Sequence, residues 1–180
     1  FRSGAFYTGA DEDVFTVFDP SLGFTTGGGW FYWPGTAIGS YSGDRTNFGY
    51  TMKYNKKATK VQGSLLLIRR TADGDKYRVK SNSIEGLALG EDKTVPVGWA
   101  TFSGKNTYLE PGWDEAVGNH GFTAYVEDRD APSNGIDRIW IEVRDRQGIQ
   151  IPQNSMNEPA AGHAAEIQGG NIFVPHRSRP

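Results

Sequence analysis

The acidic residues around Trp113 are the first group in this sequence that could carry out chemistry. Glu110, Asp114 and Glu115 lie within six residues of one another. Two carboxylates about 5–10 Å apart are what glycoside hydrolysis requires, and a nearby tryptophan can stack on a sugar ring. An ordinary acidic surface loop fits the same pattern, and we favour it. We therefore predict a protein without enzymatic activity, with a jelly-roll glycan hydrolase or lyase as the catalytic alternative.

A second acidic group, Asp128, Asp130 and Asp137, falls in a loop between two predicted strands. Carboxylate and carbonyl oxygens are the ligands that Ca²⁺ prefers. The loop is not an EF-hand, because counting from Asp128 the sixth position is Ser133 and the twelfth is Ile139. Turn-capping acids neutralised by neighbouring arginines would give the same pattern. No cofactor is required, and calcium at these three residues is the one candidate.

Tryptophans form a third candidate group, because an exposed aromatic ring can stack on a sugar or anchor a protein interface. Trp30 and Trp33 fall on opposite faces of a predicted strand, so one of them could be exposed beside Trp113. Burial in the core, or coverage by the N-terminal segment, is the interpretation we favour. Trp30, Trp33 and Trp113 are the stacking candidates if it is wrong.

Several function classes have no support in the sequence. The three histidines are far apart, and no zinc-protease, nucleophile-elbow, P-loop or dinucleotide motif is present. Without cysteine there are no disulfides or thiolate sites. A net charge of −2 supplies no footprint for nucleic acid, and no apolar run is long enough to cross a membrane. We interpret the cluster Lys53, Lys56, Lys57 and Lys60 as a solvated edge that discourages strand addition.

The elements that must position these residues are strands. Short segments rich in aromatic and β-branched residues alternate with polar positions and Gly- or Pro-containing turns. This pattern predicts an all-β fold, an antiparallel two-sheet sandwich or jelly roll with an N-terminal extension strand. The predicted strands are Val14–Phe18, Gly29–Trp33, Phe48–Tyr54, Val61–Arg69, Tyr77–Lys80, Ile84–Ala88, Val97–Ser103, Gly121–Glu127, Arg138–Arg144 and Asn171–Val174.

A hairpin around Ala72–Asp75 is the strongest local prediction, because Gly74 can supply the positive φ that the turn needs. The expected register directs Arg69, Arg78 and Lys80 to water and gives one buried face to the apolar residues Val61, Leu65, Leu67, Tyr77 and Val79. The segment Gln147–Gln168 lacks strand periodicity and is predicted to be a long loop with one or two helical turns at Glu158–Glu166.

Three regions follow from this pattern. Residues 1–19 are predicted to be an N-terminal strand or linker, residues 20–176 the β-sandwich domain, and residues 177–180 a tail. The sequence begins with Phe1 rather than Met, so we expect a mature product or a fragment of a longer protein.

The segment VFDPSLGFTTGGGW at residues 17–30 carries a family resemblance. Further elements follow in order, among them Asn47–Tyr50, Ala100–Gly104, Asp137–Ile141 and Gly169–Ile172. This series resembles a β-sandwich module, often C-terminal, of large secreted bacterial multidomain proteins that contain immunoglobulin-like or PKD modules. The resemblance implies an extracellular or cell-surface location and no catalytic residues. It also implies that Asp13–Asp19 corresponds to the last strand of a preceding module.

A strand without its partner sheet can pair with another molecule. We therefore predict a non-catalytic extracellular structural module that self-associates into a filament or surface layer through one assembly strand. That strand consists of Val14, Phe15, Thr16, Val17 and Phe18. The expected partners are other copies of the chain or neighbouring domains of the same surface protein, with no nucleic acid and no membrane span. The alternative is a carbohydrate-binding module that holds a polysaccharide on exposed aromatic residues.

Overall fold

A computed structural model describes residues 23–35, 43–92, 97–129 and 135–175. These residues form a single sheet of nine antiparallel strands in the order β8-β7-β6-β5-β4-β3-β2-β1-β9. The strands are β1 Phe24–Tyr32, β2 Arg45–Tyr54, β3 Val61–Arg70, β4 Lys76–Asp92, β5 Val97–Leu109, β6 Val117–Asp128, β7 Arg138–Arg144, β8 Ala165–Glu166 and β9 Gly169–Phe173.

The predicted all-β fold is confirmed, whereas the predicted division into two sheets is not. The reason lies in β4, which the sequence pattern splits into two strands at the polar run Ser81-Asn82-Ser83. In the structure these residues belong to one strand with register shifts at Ser81/Ser83 and Ile84/Gly86. Such bulges bend a strand without ending it. Pairing with β5 therefore continues through the bend and joins all strands into one sheet.

The predicted hairpin is confirmed. Arg70 pairs with Lys76 beside the turn, and Gly74 has a φ of 88°. Leu65, Leu67 and Val79 are buried as predicted. The prediction for Arg69 is wrong, because its side chain is 0% exposed and faces inward with Leu65 and Leu67. Side chains two residues apart on a strand share a face, so this position had to be buried with its neighbours.

The core lies on the concave side of the sheet. Each central strand contributes alternate residues, such as Phe48 and Tyr50 from β2, Phe102 from β5 and Phe122 from β6. The Tyr50 and Phe102 rings are 4.9 Å apart between centroids. Burying an aromatic or large aliphatic side chain contributes roughly 1.5–3 kcal/mol, so this inward set supplies the main driving force for folding.

The sheet curls into a half-barrel whose two edges meet. β8 and β9 lie at opposite edges, yet only Ile167 and Gln168 separate them along the chain. The Ile167 N–H donates to the carbonyl of Asp137 at 3.0 Å, and the Gln168 N–H donates to the carbonyl of Trp30 at 2.8 Å. One short connection is thus bonded to both edges of the sheet.

Two buried carboxylates complete the closure at β9. Asp137 accepts the backbone N–H of Ile172 at 2.8 Å and, with its other oxygen, that of Arg129 at 2.8 Å. Asp128 accepts the N–H of Val174 at 2.9 Å. A backbone N–H group at a sheet edge that is buried without a hydrogen-bond partner lowers the stability of the fold. The carboxylate oxygens of Asp128 and Asp137 therefore accept the hydrogen bonds that the carbonyl groups of a neighbouring strand would otherwise accept.

The segment between β7 and β8 covers the outer edge of β7. The Ile151 N–H donates to the Val143 carbonyl at 2.8 Å, and the Met156 N–H donates to the Ile141 carbonyl at 2.9 Å. The segment contains a 3₁₀ turn, Pro152–Asn154, and a single helical turn, α1, at Ala160–His163. No helix in the described part of the chain is long and apolar enough to cross a membrane.

We predict that Asp137→Asn destabilises the fold by about 1.5–3 kcal/mol, the range for losing charge-assisted hydrogen bonds in a buried site. The amide would place an N–H₂ group against a backbone N–H donor. Urea unfolding measures the free-energy change, with Asp73→Asn in the exposed β3–β4 turn as the matched control. Equal unfolding midpoints for the two variants would contradict this role of Asp137.

Candidate functional site

The acidic loop after β5 is anchored to the core. The Tyr108 hydroxyl donates to Glu110 Oε1 at 3.1 Å and accepts a hydrogen bond from Asn154 Nδ2 at 2.7 Å. The Trp113 ring meets the Tyr108 ring edge to face at 5.7 Å and is 39% exposed. Glu110 thus has a structural partner, while Asp114 and Glu115 are exposed. The absence of enzymatic activity stays a prediction.

Two of the three candidate calcium ligands lie in the described part of the chain, where they bond to the backbone near β9, and the third lies outside it. Asp128 and Asp137 are buried and accept the backbone N–H groups named above. Asp130 lies outside the described residues, as does the whole predicted assembly strand Val14–Phe18. Within the described ranges, no three His, Asp or Glu side chains are grouped as metal ligands. Calcium binding therefore also stays a prediction.

Trp30 and Trp33 occupy opposite sides of the sheet. Trp33 is 1% exposed and packs against Phe31, with ring centroids 6.1 Å apart. Trp30 faces outward, where it meets Tyr32 edge to face at 5.3 Å. Tyr32 is 52% exposed. The outer face of β1 therefore presents Trp30 and Tyr32, whereas Trp33 belongs to the interior.

The buried Arg69 side chain contacts Trp33 and bonds to residues from two other parts of the chain. Its Nε donates to Asp44 Oδ2 at 2.8 Å, and its Nη1 donates to the carbonyl of Gln153. Its guanidinium lies over the rings of Trp33 and Tyr77 at 4.9 and 4.8 Å. A buried charge is tolerated only when it is paired and hydrogen-bonded. Arg69 thus connects β3 to the 3₁₀ turn beside β7.

A strongly basic surface covers the convex side of β1–β4. Residues 45–80 contain ten Lys or Arg and only two Asp or Glu, although the whole chain has a net charge of −2. The strands β1, β2, β3 and β9 contain no Asp or Glu. Six cations alternate with the buried residues and point outward. We call this surface the basic face: Arg45, Lys53, Arg70, Lys76, Arg78 and Lys80.

The strand register brings three of these cations into one row. Arg45 pairs with Arg70, and Arg70 pairs with Lys76. Neighbouring strands are about 4.8 Å apart, and like charges directly opposite each other are destabilising. None of the six cations forms an ion pair with a residue in the described ranges. The basic face therefore has uncompensated positive charge.

Beside the cations runs an open strip of glycine and polar side chains. Gly28 of β1 pairs with Gly49 of β2, and a Cβ atom built on Gly49 would meet nothing within 4 Å. Trp30 stands at one end of the strip, with the Arg45 guanidinium 4.2 Å from its ring centroid. Exposed polar side chains border the strip: Thr26, Asn47, Thr51 and Asn171. A stacked pair, Phe24 and Phe173, with centroids 5.6 Å apart, closes the other end.

Sequence reasoning identified only fragments of this surface. Lys53 was interpreted as part of a solvated edge, and Trp30 as one of three separate tryptophans. The charge segregation between residues 45 and 80 was available as a signal. It was hidden by the near-neutral total and by the long spacing of Arg45, Arg70 and Lys76 along the chain. Only the antiparallel register makes them neighbours.

A second feature is the open side of β4. Its pairing with β3 ends at Lys80, and among the residues that the structure describes, β5 is the one strand that pairs with residues 83–90. Where the ladder between β3 and β4 ends, the Leu65 N–H donates a hydrogen bond to Ser81 Oγ at 2.8 Å. The Tyr54 hydroxyl, on the β3 side, donates to the Leu87 carbonyl. Between β3 and β4 there is thus an opening in the sheet.

A pocket of about 240 Å³ lies beside β7 and the segment that covers it. The buried Glu142 carboxylate in this pocket accepts hydrogen bonds from Arg144 and Gln150. Because Glu142, Arg144 and Gln150 already hydrogen-bond to one another, few polar side chains in this pocket are left to bind a ligand.

We predict that stability falls as the pH rises above about 10, the ordinary pKa of tyrosine. Burial raises the pKa of Tyr50, Tyr108 and Tyr125 above that value, and the charges of Glu110 and Glu127 raise those of Tyr108 and Tyr125 further. The unfolded chain therefore releases these protons first. The stabilisation is complete below pH 10 and is lost as the pH climbs toward the folded-state values.

Urea unfolding on either side of pH 10 measures this loss. Tyr125→Phe should reduce the dependence on pH, while Tyr32→Phe at an exposed site should leave it unchanged. A stability that does not change through this range would contradict the prediction.

No family model, curated protein or solved structure matches the chain. The resemblance drawn from the sequence therefore stays a prediction, and the basic face and the open side of β4 are assigned from their own geometry and charge.

Proposed function

We propose that this protein is a non-catalytic extracellular or cell-surface module that assembles with copies of itself by strand addition. The donor is the segment Val14–Phe18, and the acceptor is the open side of β4. One observation supports this proposal above all: within the described part of the chain, residues 83–90 of β4 form a backbone ladder with β5 alone, and on the other side the Leu87 carbonyl accepts a hydrogen bond from the Tyr54 hydroxyl. An unpaired strand edge presents rows of N–H and C=O groups that an added strand can bind.

The other edges of the described sheet are less suited to accept a strand. The N–H groups of Ile172 on β9 and of Val174 just after it already bond to carboxylates. The outer edge of β7 is covered by the Ile151 and Met156 pairings and by Ser155 Oγ, which accepts the N–H of Val143 at 3.0 Å. Capped edges of this kind prevent edge-to-edge association. Strand addition is thereby directed to β4.

The composition of the donor suits the opening. Its residues alternate between Val14, Thr16 and Phe18 on one side and Phe15 and Val17 on the other. Partly buried apolar side chains surround the acceptor: Tyr54, Val61 and Ile84. Backbone hydrogen bonds would provide affinity, and contact between these apolar groups would fix the register.

Charge favours the same pairing. The donor is preceded by Asp11-Glu12-Asp13, and the loop between β2 and β3 contains Lys56, Lys57 and Lys60. These lysines lie next to Val61, at the start of β3 beside the opening. From the sequence alone we interpreted this lysine cluster as discouraging strand addition; in the proposed assembly it would discourage only a basic or neutral strand and would attract an acidic one. Assembly should therefore weaken as salt screens these charges.

The entry point of the chain allows exchange between copies. The Tyr54 N–H donates to the carbonyl of Gly23 at 2.9 Å, so the chain reaches the described sheet beside the opening. A segment ending five residues earlier can reach the opening of a neighbouring copy. Exchange of an identical element between protomers is a recognised route to assemblies. Repeated exchange would give a filament or a surface layer.

We predict that Val17→Pro abolishes concentration-dependent assembly of the full chain, because proline removes a backbone N–H and disfavours ladder pairing. Size exclusion with light scattering over a range of concentrations measures the native mass. The matched control is Ser3→Pro, outside the predicted donor. A chain that begins at Gly23 should be monomeric, and adding a peptide of residues 11–19 should not restore assembly, because it caps acceptors. A full-length chain that stays monomeric at every concentration would overturn the proposal.

A further inference from the structure

We propose that the basic face is a binding site for an anionic polysaccharide, one that carries carboxylate or sulfate groups. This site lies on the convex surface of β1–β4 and is separate from the open side of β4. The inference goes beyond assembly: it assigns a ligand class to residues that strand addition does not use.

The first argument is the segregation of charge. The six cations of the basic face share one surface, while most of the carboxylates described lie in the later half of the chain. The nearest acids along the chain are Asp44, which pairs with the buried Arg69, and Asp73 and Asp75, which are exposed in the β3–β4 turn. A surface of one sign attracts a polyanion and raises its association rate even when the total charge of the protein is negative.

The second argument is that this arrangement of like charges lowers the stability of the fold. Arg45, Arg70 and Lys76 repel one another across three strands. A bound row of carboxylates or sulfates would neutralise the repulsion and supply acceptors, and guanidinium groups bind such anions through two parallel hydrogen bonds.

The third argument favours a sugar polymer over other polyanions. Tyr32, which is 52% exposed, presents aromatic surface beside Trp30, one face of which is covered by the Arg45 guanidinium, and an exposed aromatic ring can stack on the CH-bearing face of a pyranose. Gly169 lets the Trp30 indole lie close to β9, since a Cβ there would come within 2.6 Å of Trp30 Nε1. The ring is therefore held in place before a ligand arrives, which lowers the entropic cost of binding.

The fourth argument is the shape of the surface. The open Gly28–Gly49 floor is bordered by Thr26, Asn47 and Thr51, whose hydroxyl and amide groups suit sugar hydroxyls. The strip from Phe24 to Tyr32 is roughly 26 Å long at about 3.3 Å per residue. An open strip of this length fits an extended polymer lying along β1.

The experiment measures binding of the full chain to immobilised polysaccharides by affinity electrophoresis and calorimetry. The probes are polygalacturonate and dextran sulfate, with uncharged dextran as the matched control for dextran sulfate. We expect both anionic polymers to bind and dextran not to bind. Affinity should fall steeply as salt is added, because neutralising several cations makes binding dependent on ion release. Binding of dextran as tightly as dextran sulfate would overturn the assignment of charge.

Substitutions locate the site. The double variant Arg70→Gln/Lys76→Gln should weaken binding of both anionic polymers at least about tenfold, since it removes two charge-assisted contacts. The control is Lys105→Gln, an exposed cation on β5, which should bind as the unchanged chain does. Thermal unfolding of each variant checks that the fold is retained. Equal weakening by Lys105→Gln, or none by the double variant, would overturn the site.

Two further arms test the ligand class. Tyr32→Ala should weaken binding of polygalacturonate but not of polyglutamate, which carries carboxylates without sugar rings. Equal loss for both polymers would contradict the stacking role. Single-stranded and duplex nucleic acids are tested at the same salt concentration, and tighter binding of either than of the polysaccharides would overturn the sugar assignment. Repeating the measurements on Val17→Pro separates this site from assembly, since binding should survive when assembly does not.

Discussion

The closure of the sheet by Asp128 and Asp137 is the constraint on which the rest of the fold depends. A nine-stranded antiparallel sheet must either leave two edges open or bring them together. Here the backbone N–H groups of Ile172 and Val174 bond to these two carboxylates, and the short connection after β8 bonds to both edges. The concave side is thereby sealed around its aromatic core. The same carboxylates that the sequence offered as calcium ligands are thus already bound to backbone donors.

Curling the sheet separates its two surfaces by polarity. The concave side holds the apolar residues together with Arg69, whose charge is balanced by Asp44 and by two aromatic rings. The convex side of β1–β4 collects cations with no acidic partner in the described ranges, and the bend in β4 leaves an opening between β3 and β4. The proposed assembly and polysaccharide sites occupy these two places, so one module could join to copies of itself and still hold a surface polymer.

Much of the fold could be predicted because alternation is a local property. The hairpin around Gly74 and the buried set Leu65, Leu67 and Val79 followed from a period of two and one turn residue. Arg69 was misplaced because residue type was given more weight than the period, and an arginine in the core needs partners from Asp44 and Gln153 that are distant along the chain. β4 was divided because a polar run looks the same whether it ends a strand or forms a bulge. The candidate site was predicted less completely than the fold. The sequence indicated Trp30 as a candidate, but it did not indicate that the cations beside it form one surface.

The sequence by itself determined the all-β character, the β3–β4 hairpin and the excess of positive charge between residues 45 and 80, since these depend only on neighbouring residues and composition. Tertiary structure alone decided that nine strands form one sheet, that Asp128 and Asp137 close it, and that Arg45, Arg70 and Lys76 stand side by side. The physical reason is that these features depend on strand register and on contacts between residues far apart in the chain. A period of two specifies which face a side chain occupies, but it does not specify which side chains from other strands will be its neighbours.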